Sequence, residues 1–384
     1  MSLRDLSDHE LRERAGAKWT AAGPDVLPAW VAEMDFALAE PIAAALHDAV
    51  DRGAVGYSPS DARTGVPEAL AAFAADRWSW AFDPAHVVLV PDVMSGIELV
   101  LRTLCEDAPV VVPTPAYPPF LDVVPLTGRA LVPLPLSPDA PAVLDLDRLD
   151  AALAAGARTV LLCQPHNPWG RVFTRGELEG LRDVVVRHGA RVISDEVHAQ
   201  LVLKGATHVP YATLDGTAAH TSTVLSAAKA WNLPGLRCAQ VVTGTPADAG
   251  ALRALPLVAV HGPSPLGVVG ALAAYRQGTP WLEELRRRLD GNRTLFGELV
   301  AELLPQVRQR RLEATYLAWL DVRGLGLQDP AGLALRDGRV LVSDGTRFGP
   351  GGAGHVRVNL ATSPDRLDRI VRRLASAWTP PPHR

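Results

Sequence analysis

The sequence predicts an α/β protein: a three-layer α/β/α body around a mainly parallel sheet, joined to a smaller α+β domain. Three observations carry this reading. Short apolar runs at 86–90, 110–113 and 159–163 lack alternation between polar and apolar residues, which marks strands covered on both faces. Amphipathic helical stretches separate these runs, the order of a wound parallel sheet. The final third departs from that order, with a long charged helix followed by strands and one more helix.

Taken in order, Ser7-Asp8-His9-Glu10 has the form of a capping box and predicts a helix over 8–17. An irregular arm follows, in which Trp30-Val31-Ala32-Glu33-Met34-Asp35-Phe36 has no clean period. Glu33 and Asp35 there read either as paired catalytic carboxylates or, more plainly, as solvated or backbone-bonded acids. Pro41 opens a helix with Ile42, Ala45, Leu46, Ala49 and Val50 on one face and Gly53 as its stop. Residues 56–59 form a turn, and Pro67 opens a helix carrying Leu70, Phe73 and Ala74. Strands are then expected at 86–90, 110–113, 131–134, 159–163, 191–194, 224–226 and 239–243. Helices are expected at 95–105, 146–155 and 174–188, with a turn and short helix over 115–124.

Residues 247–257 and 267–276 read as helical, and 280–304 as a long amphipathic helix of the kind that connects domains. Strands at 316–321, 339–342 and 355–359 follow. Ser363 caps a last helix that turns Leu367, Ile370, Val371 and Leu374 inward. The expected division is an N-terminal arm over 1–45 belonging to the small domain, a large domain over 46–280, a small domain over 281–378, and a frayed tail over 379–384.

With 384 residues, 48% of them hydrophobic, the chain has material for two cores and is not a disordered segment. Its 38 basic and 42 acidic residues leave a net charge of −4 and form no dense basic stripe, so nucleic acid is not an expected partner. The charged N-terminus does not resemble a signal peptide, and no uncharged apolar run is long enough to span a membrane, so a cytoplasmic location is expected. Cys105, Cys163 and Cys238 read as reduced thiols. The histidines and cysteines show no metal-ligand spacing, and neither a Gly-x-Ser-x-Gly elbow nor a dinucleotide fingerprint is present.

The chemistry centres on Lys229, three residues after Ser226 at the end of the 221–225 run. A lysine beside a buried strand is costly unless its amine is neutral, paired or covalently used. A lone lysine there is ordinarily a surface residue; its neighbours change that reading. Ser226 can donate to an anion near Lys229, or simply cap a helix. Arg237 can neutralise a phosphate, or form a surface ion pair. Ser95 and Gly96 open a helix whose N–H groups suit an anion. Asp195 ends a strand and can hold a protonated ring nitrogen, or cap the next helix. Asn167, in Pro165-His166-Asn167-Pro168-Trp169-Gly170, can donate to a ring oxygen or merely shape a turn. Tyr117 can stack on a planar ring. Arg357, inside a predicted strand, can bind a carboxylate or a structural acid. In this order, the set can hold pyridoxal phosphate and the carboxylate of an amino acid.

Pro165 to Val172, Ser194-Asp195-Glu196-Val197-His198, Ser226 to Leu236 and Arg357-Val358-Asn359 together resemble fold-type I pyridoxal-phosphate enzymes of aminotransferase class I/II. Within them the chain is most similar to the MalY/PatB type of cystathionine β-lyase. That resemblance implies pyridoxal 5'-phosphate as cofactor, with Lys229 as its Schiff-base lysine and Asp195 on the pyridine nitrogen. It also implies Asn167 on the ring oxygen, Tyr117 over the ring, and Ser95, Gly96, Ser226 and Arg237 around the phosphate. By the same resemblance, His198 would lie beside the cofactor, and Arg357 and Ala32 would contact the substrate. Tyr57 would reach the phosphate of the other subunit, which implies a homodimer with shared sites. The implied reaction is β-elimination from cystathionine or another S-substituted cysteine, giving thiol, pyruvate and ammonia. The alternative is an aminotransferase, or a related deaminating or decarboxylating enzyme. His198 replaces the tyrosine usual in aminotransferases and matches the lyase branch. Arg237 is the aminotransferase-like choice, and Glu33, Asp92-Val93-Met94 and Ala230-Trp231 depart from the lyase pattern.

Overall fold

Seven strands form the central sheet of the computed structural model, which describes residues 3–137, 142–260 and 262–379. They are β1 (Val87–Val90), β2 (Val110–Thr114), β3 (Leu131–Pro135), β4 (Thr159–Cys163), β5 (Arg191–Asp195), β6 (Thr221–Leu225) and β7 (Ala239–Thr243). Their order across the sheet is β1-β7-β6-β5-β4-β2-β3, with β7 antiparallel to both of its neighbours. Every residue of β1, β2, β4, β6 and β7 is buried, which is why their sequences need no alternation. β3 is the exposed edge, where Pro133 and Pro135 are tolerated. β6 begins three residues before the expected 224–226 because Thr221, Ser222 and Thr223 are buried in it despite their hydroxyls.

This topology positions the site. β4, β5 and β6 run parallel, and their register sets Cys163 beside Asp195 and Asp195 beside Val224. The segments leaving these strands therefore emerge along one edge, as do those leaving β1 and β2; antiparallel β7 begins there. Gly96 lets the helix Val93–Leu104 lie directly on the sheet: a Cβ there would stand 3.1 to 3.3 Å from Val241, Val90 and Val224.

The second sheet comprises β8 (Arg308–Gln309), β9 (Leu317–Asp321), β10 (Ser343–Asp344) and β11 (His355–Asn359), antiparallel in the order β10-β11-β9-β8. The 25-residue helix Thr279–Leu303 packs on the last helix, Pro364–Trp378. One apolar cluster runs from Phe36 and Ile42 through Trp231 and Tyr275 to Val358 and Trp378. The arm, the long helix and both sheets thus share buried surface.

Several expected elements are shorter. The capping box of Ser7 and Glu10 forms, but its helix ends at Glu13, and Ala15 turns left-handed at φ 49° before a separate turn of helix, Ala17–Thr20. The expected 247–257 helix divides at Pro256, which cannot continue a helix, into Pro246–Arg253 and Leu257–Val260. The expected 339–342 strand reduces to Val340–Leu341, paired in parallel with Leu27–Pro28, a strand too short to show any period. Pro330–Arg336 is a further helix absent from the sequence reading. Of the expected tail, residues 380–384 lie outside the described residues. The three cysteines are free and buried.

Candidate active site

The strand ends described above open onto a cleft of about 260 Å³. Ala32, Tyr117, Asn167, Asp195, His198, Ser226, Lys229 and Arg237 all line it. Tyr117, Asn167, Asp195 and Lys229 meet here because the parallel sheet aligns the ends of its strands, and the arm brings Ala32 to them from 197 positions before Lys229.

Lys229 lies in the turn after β6, and its Nζ donates to the carbonyl of Ala32 at 3.4 Å. Burial, assisted by the Arg357 charge, draws its amine down to about 8. A substantial neutral fraction at neutral to mildly alkaline pH follows. Asp195 closes β5, and one of its oxygens accepts the Val197 N–H at 3.0 Å. Burial lifts this carboxyl to about 7, against the pull of Lys229. A cation placed beside it would reverse that shift. His198 is held neutral: burial, then Lys229 and Arg357, push it down to about 3. Its Nδ1 is buried without a hydrogen-bond partner.

Arg357 projects from β11, opposite Trp319 of β9 and Ser343 of β10. Its Nη1 donates to Asn167 Oδ1 at 3.0 Å, and its Nη2 donates to the Trp30 carbonyl at 3.0 Å and to Ser343 Oγ at 3.3 Å. The Phe348 ring lies 4.9 Å beneath the guanidinium. Because Asn167 offers its oxygen to Arg357, its amide nitrogen is the group left to donate toward the cleft. Tyr117 packs edge-on against Phe120 at 5.6 Å, and the preceding Ala116 N–H binds the Phe348 carbonyl at 2.9 Å. That bond ties the tyrosine loop to the loop supporting Arg357.

The structure adds detail at four of the expected positions. The helix that was expected to open at Ser95 and Gly96 starts at Val93. Both N–H groups are taken by Asp92, Ser95 by its carboxylate at 2.8 Å and Gly96 by its carbonyl at 3.0 Å. The N–H groups free for an anion therefore belong to Val93 and Met94, which line the cleft. Ser226 lines the cleft too, but its hydroxyl donates to the Cys238 carbonyl at 2.7 Å and accepts from Ala228 N–H at 3.1 Å. Its hydrogen is thus directed away from an anion. Arg237 pairs with Asp92 at 2.7 Å, a partner that sequence distance hid. Tyr57 is fully exposed and does not line this cleft.

Sequence reasoning missed Tyr316, whose hydroxyl donates to the Ala32 carbonyl at 3.0 Å, and Ser343. It also missed Asn359, whose amide donates to the carbonyls of Val31 and Glu33 at 2.6 Å each. Asn359 was within reach as a polar residue two positions from Arg357; Tyr316 and Ser343 carry no sequence signal.

The model for "Aminotransferase class I and II" matches residues 31–374. The chain is 37% identical to the cystathionine beta-lyase of Corynebacterium glutamicum, covering 96% of this chain and 98% of that one. It is 33% identical to cystathionine beta-lyase PatB of Bacillus subtilis, over 95% and 98% of the two chains. Among solved structures it superposes with a TM-score of 0.94 on "a putative plp-dependent beta-cystathionase" from Corynebacterium diphtheriae. That likeness has 36% identity and covers 98% of this chain and 99% of that one. With the family model spanning most of the chain and relatives matching it end to end, this chain belongs to the aminotransferase class I and II family.

Proposed function

We propose that this chain is a pyridoxal-phosphate-dependent carbon–sulfur β-lyase, cleaving cystathionine or another S-substituted L-cysteine with water to thiol, pyruvate and ammonia. The observation that carries the reading is the buried Lys229 amine, drawn down to about 8, in one cleft with Asp195, His198 and Asn167. Relatives that share the whole chain and are named cystathionine beta-lyase support the reaction type.

The residues present fit the cofactor. Asp195 is a carboxylate raised by its burial, and a protonated ring nitrogen beside it would reverse that shift. The unpartnered His198 Nδ1 and the Asn167 amide offer polar contacts in the same cleft. Arg237 and the N–H groups of Val93 and Met94 would hold the phosphate. Bound there, pyridoxal phosphate supplies an electron sink for a carbanion at the substrate Cα.

Arg357 binds the substrate carboxylate through its fork, which Asn167, Trp30 and Ser343 aim. Lys229 Nζ then takes the Cα proton, a role suited to an amine with a pKa near the working pH. The Ala32 carbonyl orients that amine. His198, uncharged, leaves the lowering of the Lys229 amine to burial and to the Arg357 charge.

The reading is tested by supplying cystathionine and S-alkyl cysteines without any oxo acid and measuring thiol, pyruvate and ammonia. Stoichiometric release supports it. No release, with amino transfer once an oxo acid is added, would replace it by an aminotransferase.

The proposal includes a cytoplasmic homodimer whose sites are shared. A large domain over 46–280 and a small one over 281–378, with the 1–45 arm on the latter, would divide each subunit. Tyr57, wholly exposed on the single chain beside exposed Val55, would complete the partner's phosphate site. Sedimentation should then give twice the 40.9 kDa chain mass. Mixing inactive Lys229→Ala with Tyr57→Ala should restore activity through hybrid dimers holding one intact site.

A further inference from the structure

Lys18 and Asp35 are 2% and 0% exposed, and they pair at 2.9 Å. The Trp19 indole N–H donates to the same Asp35 oxygen at 2.8 Å, and Lys18 Nζ also reaches the Glu33 carbonyl at 3.1 Å. A buried ion pair is a poor source of stability compared with apolar side chains of the same size, and its best-attested use is to fix one arrangement. Here it fixes the 30–36 stretch, whose backbone carbonyls accept in turn from side chains in and around the cleft.

The Trp30 carbonyl accepts from Arg357 and, at 2.8 Å, from Ser343. The carbonyls of Val31 and Glu33 both accept from Asn359, and that of Ala32 accepts from Tyr316 and Lys229. Met34 exchanges two hydrogen bonds with Asn232, three residues beyond Lys229, at 2.9 and 3.1 Å. The arm therefore touches both the proposed base and the proposed carboxylate-binding arginine through backbone oxygens, whose placement depends on what anchors the arm.

We propose that Lys18 is a positioning residue: its pair with Asp35 locks the 30–36 stretch so that the Ala32 and Trp30 carbonyls aim Lys229 and Arg357. The kinetic part of this inference rests on the lyase reading; the structural part does not.

The test uses the cofactor-loaded enzyme. Lys18→Met alone leaves the buried Asp35 charge only the longer pair with Arg366 at 3.6 Å, so the decisive variant is Lys18→Met with Asp35→Leu, which removes both members of the Lys18 pair. Trp19→Phe is the milder companion, since it deletes one hydrogen bond to Asp35 and leaves both charges. Substrate KM, kcat and amide hydrogen exchange over 30–36 are measured together. The expected result is a thermal midpoint close to the parent's, faster exchange across 30–36, and a KM raised about tenfold or more, as misplaced positioning groups produce. Trp19→Phe should move exchange and KM in the same direction by less, and it decides the matter if the double variant does not fold. Parental KM and parental exchange in a folded variant would overturn the proposal, as would a raised KM with unchanged exchange. If the parent enzyme releases no thiol from any S-substituted cysteine, the lyase reading falls, and exchange over 30–36 alone decides the lock.

Discussion

Lys229→Ala is expected to lower kcat/KM for elimination by about 10⁴-fold, the upper range for removal of a positioned proton carrier. Borohydride treatment of the loaded enzyme, which fixes a lysine-bound cofactor to the chain, should label the parent at Lys229 and leave the variant unlabelled. Label retained on another lysine would move the anchor elsewhere. The same residue should leave a mark on stability. In the cofactor-free protein its amine titrates near 8, below the ordinary lysine value of about 10.4. Its protonated form is thus penalised on folding, and the contribution to stability is fullest above about pH 10.4 and lost as pH falls through 8. Lys229→Met, which fills the space without a charge, should therefore raise the denaturation midpoint of the cofactor-free protein at pH 7. The gain is on the order of 3 kcal/mol at most, and the gap should close toward pH 10.4. A gap independent of pH would show that burial of the amine is not its source.

Arg357→Lys should raise KM for the amino-acid substrate about 10²-fold or more, roughly 2.7 kcal/mol, with a smaller effect on kcat. The guanidinium has three oxygen partners and a ring beneath it, and an ammonium on a flexible stem cannot keep that fork. A substrate analogue lacking the carboxylate should bind parent and variant alike. Equal losses for the analogue and the true substrate would mean that Arg357 supports the cleft and does not read the carboxylate. Asn167 would share in the loss, because its amide orientation is set by the same bond.

Much of the site was legible in the sequence because its members follow strands. A charged or polar residue just beyond a buried apolar run has few bland explanations once several occur in order, and Asn167, Asp195 and Lys229 are such residues. Arg357 was legible for a related reason, standing inside a strand where an unpaired guanidinium is unfavourable. Asp92 shows the limit of that logic. It was noted as unusual, yet its bonds to Ser95 and Arg237 cannot be read from spacing, and they displace the anion-binding N–H groups to Val93 and Met94. The Lys18–Asp35 pair shows it again. Asp35, in a segment without a period, read as a solvated or backbone-bonded acid, Lys18 carried no signal, and only the packed fold shows both to be buried.

By itself, the sequence determined the layered α/β architecture, the succession of strands and the chemical types gathered at their ends. Period and burial of apolar runs are local properties, so they survive without coordinates. The tertiary structure alone decided which groups share a hydrogen bond: Lys229 with the Ala32 carbonyl, Arg357 with Asn167 and Trp30, Ser226 with Cys238. These contacts join residues up to 327 positions apart. Their formation depends on strand order and on the arm's path, and no local pattern of side chains encodes either.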